Sequence, residues 1–352
     1  MNIAKYIRYG GSVVLANAGF IAFTTLSHYK KVNYDDKINY PQQGEILRTF
    51  NHELHFVSSP RTPNQTSKTS VVLIGDYGEP SEVFETLQDA IIKDNPNVNR
   101  VIRYDRFGYG YSEFSSAPRH ASNMTSEVGS LIEEQKLVED GNKVVLVGHG
   151  SGCLIARLLR DRLKDGVAST VLVSPNHEKM ILNEEKWYQG YAEQSSSPYL
   201  LLSLMNFLGF IEIVSKIKPN INDAPIYATA SPKSEAWIRT QLYKDYYYET
   251  YLKELSQSKL SAKQVDESRA TQNSITPIVV VNVNHDKEHK IRRNYFDVLR
   301  KDDKDLYKHY LEDLKTLSPD SKLETLHNYD HYSVLSSPEL ANIVRDVVNK
   351  KA

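Results

Sequence analysis

Val144 to Ala156 reads VVLVGHGSGCLIA. An apolar, β-branched run enters a Gly-rich turn, and the turn opens a helical stretch. In such a strand–turn–helix the tip residue sits in a strained backbone position, and side chains two places either side of it would strike the neighbouring strand and helix. The flanking glycines fall at Gly148 and Gly152. The residue between them is Gly150, where the G-x-S-x-G pattern has its serine, and Ser151 comes one place later.

Outward from this turn, short apolar runs alternate with amphipathic segments. Strands are expected at Ser70 to Ile74, Val101 to Tyr104, Lys143 to Val147, Ser169 to Val173, Pro277 to Val283 and Leu323 to Asn328, with a strand-like patch at Leu54 to Ser58. Helices are expected at Ser81 to Lys93, Asn123 to Glu139, Ser151 to Asp165 and Ser337 to Lys350, with Ser126 as a cap for the second. This alternation predicts an α/β fold with a mainly parallel sheet covered on both faces. Asn176 to Ser274 breaks the alternation. It holds no convincing β run but carries the apolar stretch YLLLSLMNFLGFIEIVSKI, Tyr199 to Ile217. A membrane crossing there would separate strands that must share one sheet, so the stretch reads as a buried or interfacial lid helix. The expected organisation is an N-terminal segment 1–31, a first core part 32–175, a helical lid 176–274 and a second core part 275–352.

Composition narrows the function classes. The 352 residues are 40% hydrophobic and 25% charged, an ordinary globular composition. Lys+Arg 43 against Asp+Glu 44 leaves a net charge of -1, and no basic patch exceeds short runs such as Lys287 to Arg293, so nucleic acid is excluded as a partner. The single cysteine, Cys153, excludes an intramolecular disulfide and a Cys-based zinc site.

Tyr9 to Ser27 carries no charge and is flanked by Lys5, Arg8, Lys30 and Lys31. Its length suits a membrane span of ~20 residues, although Asn17, three Gly and two Thr dilute its apolarity. Three readings stay open: a single-pass N-terminal anchor helix placing the protein at a membrane, a signal peptide cleaved near Ala16-Asn17-Ala18, or a mitochondrial presequence.

Several stretches in order resemble the α/β-hydrolase family, and within it the membrane-anchored branch. Tyr104-Asp105-Arg106-Phe107-Gly108-Tyr109-Gly110-Tyr111-Ser112 resembles the family's YDRxGYGxS turn, and Val71 to Gly78 its oxyanion loop. Val144 to Ala156 resembles VLVGHSxGGxxA, with Gly150 in the serine's place and Cys153 in a glycine's place. Thr170 to Pro175 resembles the strand after the elbow helix. Asp330-His331-Tyr332 through Ser337-Pro338-Glu339-Leu340 resembles the segment that carries the catalytic histidine, and Tyr40-Pro41-Gln42-Gln43-Gly44 adds a YPxxG-like stretch.

The resemblance implies a Ser-His-Asp mechanism without cofactor or metal. His331 falls at the histidine position and Asp286 at the acid position. The oxyanion donors would be the backbone N–H groups of Tyr77 and Ser151. Two departures stand against that mechanism. Gly150 has no atom that attacks a carbonyl, so Ser151 would have to swing into the nucleophile's place. Asp76 stands where the family loop has a small residue, and a carboxylate beside a developing oxyanion raises the barrier unless it points away or is protonated. Asp76 would alternatively act as a general base on water. Two functions therefore remain open: an ester or acyl hydrolase acting on a small apolar or lipid-like substrate, and an inactive pseudohydrolase that binds or scaffolds.

Overall fold

The computed structural model describes residues 3–59, 67–183, 201, 203–217, 232–244, 246–270, 276–284 and 304–350. Eight strands form one sheet: β1 Glu45–Thr49, β2 His52–Ser58, β3 Thr69–Ile74, β4 Val101–Tyr104, β5 Lys143–His149, β6 Val167–Val173, β7 Ile278–Asn284 and β8 Lys322–His327. Their order is β1-β2-β4-β3-β5-β6-β7-β8. The β1–β2 and β2–β4 pairings are antiparallel and all others parallel. Strand β5 lies centrally, so its C-terminal end, where the Gly-rich turn begins, opens at the middle of the sheet edge.

Side chains alternate across the pleat. Val72, Ile74, Leu146, Leu172 and Val280 join Met124, Leu131 and Leu154 in one core, beneath the helices Ala121–Glu134 and Gly152–Leu163. Val71, Leu73, Val145, Val147, Val171 and Val281 join Leu87, Ile91, Leu340 and Val344 on the other face, beneath Glu85–Ile92 and Pro338–Asn349. Both faces are dry, and that is why the parallel strands read as continuous apolar runs.

Several local expectations change. Strand β1 lies in a stretch whose polarity hides it: it is an edge strand, closed onto β2 through Phe50 and Asn51 at φ 51° and 61°. Two successive left-handed residues make the tight turn that matches strand twist. His120, not Ser126, caps the helix Ala121–Glu134, its ring accepting from the Asn123 N–H. Within the Tyr199 to Ile217 stretch, the described residues 203–207 and Phe210–Ile217 are helical, on either side of a turn at Leu208 and Gly209, with Gly209 at φ 74°. Among the described residues, 176–274 contains helices and no strand.

The N-terminal segment needs a larger correction. Tyr9 to Ser27 lies inside the helix Ile3–Lys30, but no helix among the described residues is long and apolar enough to cross a membrane. The polar and glycine residues spread through it are the reason. Nor does the helix stand apart from the rest of the chain. Thr24 and His28 are buried against Gly209, where an added Cβ would lie 2.6 Å from the Thr24 carbonyl oxygen, and Phe20 stacks on Phe210 with ring centres 6.2 Å apart.

Candidate functional site

The turn after β5 has no room for side chains at its flanks. A Cβ on Gly148 would lie 2.7 Å from the Gly152 carbonyl oxygen, and one on Gly152 would lie 2.3 Å from that of Ile74. Gly150 occupies the tip at φ +53°, a left-handed conformation that glycine adopts without penalty. Its own missing side chain has a different neighbour. A Cβ there would lie 2.2 Å from both Cγ and Oδ2 of Asp76. The space that a nucleophile would occupy at the elbow is filled by the Asp76 carboxylate.

That carboxylate is held at both oxygens. Oδ1 accepts from the backbone N–H of Tyr77 at 2.8 Å and of Ser151 at 2.7 Å. Oδ2 accepts from Nε2–H of His331 at 2.9 Å. Burial alone would push the Asp76 carboxyl upward, but the bond to His331 and the charges of His331 and His149 outweigh it and hold the group well below the usual carboxylate range. Asp76 is 4% exposed, Ser151 3% and His331 1%, so among the described residues this centre is closed.

Further contacts fix the loop that carries Asp76. Arg106, from the turn after β4, donates to the carbonyls of Gly75 and Asp76, both at 2.6 Å. Its guanidinium also pairs with Glu254 at 2.9 and 3.0 Å, and the Tyr109 hydroxyl donates to the same carboxylate at 2.9 Å. Glu254 lies on the helix Tyr247–Ser256, so that helix and the Asp76 loop are joined through one buried ion pair. The Tyr247 hydroxyl adds a bond to the Gly78 carbonyl at 3.0 Å.

Around His331, the ring Nδ1 meets the Ser174 hydroxyl at 2.7 Å, and the backbone carbonyl accepts from Nε2–H of His149 at 2.7 Å. The Nδ1 of His149 faces Glu79 at 2.9 Å, while Glu79 also accepts from the Asp76 backbone N–H at 2.6 Å. Burial would lower the His149 imidazole, but the Glu79 charge and hydrogen bond prevail and raise it. Ser174 sits at φ 47°, a left-handed conformation that costs a residue with a side chain and recurs at functional positions.

The structure thus brings together His331, the Tyr77 and Ser151 N–H groups and the three elbow glycines. Among the described residues no hydrogen bond joins the Ser151 hydroxyl to His331. Asp286 lies outside the described residues. Sequence reasoning did not single out Ser174, Glu79, His149, Arg106 or Glu254. His149 and Arg106 stood inside the quoted motifs, whereas Glu254 carried no signal because nothing local marks a lid carboxylate that reaches a loop. Elsewhere, His177, Glu178 and Asp313 cluster at a spacing that would suit a cation. Arg157 and Arg269 already pair with these carboxylates, and burial brings the His177 imidazole down to about 4. The cluster is a guanidinium-filled ion-pair network that fits no metal.

Comparison with known proteins agrees with this architecture. No curated protein sequence matches the chain. It is similar to the solved structure of Cfl2 from Burkholderia cenocepacia, with a TM-score of 0.61, 14% identity and coverage of 86% of this chain and 94% of that one. It is similar to the epoxide hydrolase CorEH at a TM-score of 0.57, 13% identity and coverage of 88% and 98%. A variant of the haloalkane dehalogenase DatA from Agrobacterium tumefaciens C58 has a TM-score of 0.60 at 14% identity, covering 87% of this chain and 96% of its own. At these identities the likeness shows the fold. Residues 71–342 match the alpha/beta hydrolase family over most of the chain's length, and the chain belongs to that family.

Proposed function

We propose that this chain is a pseudohydrolase for serine-ester chemistry, a hydrolase-fold protein that binds a small apolar or lipid-like ligand without cleaving it. One observation carries the reading. The Asp76 carboxylate takes the elbow's nucleophile space, both candidate oxyanion N–H groups and the Nε2 proton of His331 at once. Acyl transfer needs each of these groups for something else. The hydroxyl must sit at the tip, the two N–H groups must meet a developing oxyanion, and Nε2 must be free to take the hydroxyl's proton. Losing one oxyanion donor alone costs ~10²–10³ in kcat. Here both are engaged by a group already charged, and each charge-assisted bond to it is worth about 1.5–3 kcal/mol. The apolar lid segment supports an apolar ligand.

The test pairs turnover with binding. Short- and long-chain p-nitrophenyl esters should be hydrolysed no faster by the wild-type protein than by His331→Ala. A fluorescent fatty-acid probe should still bind and be displaced by unlabelled acyl ligand. Turnover that His331→Ala abolishes would overturn the reading.

A second reading rests on the same Asp76–His331 contact. With Oδ1 held by two N–H groups, Oδ2 is a carboxylate oxygen beside an imidazole. Its depressed pKa makes it a poor general base, since a base works best with a pKa near the operating pH, but leaves it ionised and able to act as a nucleophile. Attack of Oδ2 on an epoxide carbon would form an ester C–O bond as the ring C–O bond breaks, the ring oxygen would take a proton from water, and hydrolysis of the ester by water would release the diol and restore the Asp76 carboxylate. Two of the structural neighbours are an epoxide hydrolase and a haloalkane dehalogenase. Incubation with styrene oxide followed by intact mass measurement decides it: an adduct on wild type, absent in Asp76→Ala, favours this reading over the first.

A further inference from the structure

We infer that the helix Ile3–Lys30 and the lid segment it packs on form a docking surface for an anionic lipid bilayer, lying in the interface without crossing it. The two elements are joined through Phe20 on Phe210 and through Thr24 and His28 on Gly209. Away from that contact they turn large apolar side chains to the outside. Phe23 and Leu26 are each 68% exposed on the helix, and Leu201, Leu204 and Phe207 are 56–58% exposed on the lid segment. Ile46, Phe50 and Leu260 are also exposed, and single exposed apolar side chains are ordinary. Exposed apolar side chains gathered on two elements in contact mark an interaction site.

Charge decides the occupant. The first 34 residues carry Lys5, Arg8, Lys30 and Lys31 and no Asp or Glu. Lys31 is held over the Tyr243 ring at 4.1 Å, which fixes a cation at the end of the helix where it meets the lid region. A second copy of the chain would bring this basic-only segment against itself in a two-fold interface, with like charges opposed. A leaflet rich in anionic lipid attracts the same charges while taking up the phenylalanine and leucine side chains. Since no helix among the described residues suits a crossing, the helix belongs in the plane of the interface.

The test uses the full chain and vesicles of phosphatidylcholine with and without phosphatidylserine. The wild-type protein should co-sediment with the anionic vesicles, less with the neutral ones, and should leave both after an alkaline carbonate wash. Replacing Phe23, Leu26 and Phe207 together by Ser should weaken partitioning at least about tenfold. Their exposure predicts an unchanged melting temperature, which checks the variant's fold. Lys30→Gln, which removes one exposed charge, should weaken binding to anionic vesicles by about fivefold while leaving neutral vesicles unaffected. Absence of wild-type binding, binding that survives the carbonate wash, equal binding by the triple-Ser variant, or a wild-type dimer that the triple-Ser variant splits would each overturn the inference.

Discussion

Oδ2 of Asp76 lies 2.9 Å from Nε2 of His331, across 255 positions of sequence. The bond engages the nitrogen through which a histidine would activate a serine hydroxyl. Because the carboxylate is ionised, Nε2 must carry the proton, whereas a general base needs that nitrogen empty. Asp76 and Gly150 are complementary: the carboxylate fills the volume that a side chain at the tip would take.

Gly150→Ser alone should destabilise the protein and yield no activity. The new Cβ would lie 2.2 Å from Cγ of Asp76, and the residue would stand at φ +53°. Left-handed strain costs about 1–3 kcal/mol, and overpacking adds a cost of similar size. Urea unfolding should show a lowered midpoint. The double variant Asp76→Gly with Gly150→Ser should recover part of that loss, because the clash is gone.

Asp76 makes stability depend on acid. Its folded pKa is depressed, so its contribution is present above the ordinary carboxylate value of about 3.9 and fades as the pH falls below it. Unfolding midpoints from neutral pH down to pH ~3 should drop more steeply for wild type than for Asp76→Asn.

His149 works in the opposite direction. Its folded pKa is raised by Glu79, so its contribution is full below the ordinary histidine value of about 6.5 and is lost as the pH rises through the raised value. In Glu79→Gln the loss of stability on the alkaline side of that value should flatten, as measured by melting temperature against pH.

Arg106→Met should cost about 3–5 kcal/mol, because it leaves Glu254 buried without its main partner. It should also free the Gly75 and Asp76 carbonyls. Hydrogen exchange at residues 75–79 should quicken in this variant under conditions where the strands stay protected.

The sheet was legible because its strands are buried on both faces, so that KVVLV and STVLV read as unbroken apolar runs. Strand β1 was not, since a short edge strand that is only exposed or half-buried carries a largely polar sequence. The motifs around Tyr77, Ser151, His331 and the glycines are local and fix backbone position, so that these groups lie together in the structure as expected. The direction of the Asp76 side chain was not legible. It depends on the volume left free by Gly150, on an imidazole 255 positions away and on Arg106 bonding to the loop carbonyls, none of them local to the loop. The N-terminal helix was legible as apolar, but its packing partner at Gly209 belongs to the lid and has no sequence signature.

Labelling by a fluorophosphonate, which reacts with activated serines, tests the central claim most directly when read by intact mass. The wild-type protein should gain no adduct, because the tip has no hydroxyl and Nε2 of His331 is engaged by Asp76. The Asp76→Gly, Gly150→Ser double variant should gain one adduct per chain, because its hydroxyl would face His331 with both oxyanion N–H groups released. A wild-type adduct that disappears in Ser151→Ala would contradict the account and make Ser151 the nucleophile.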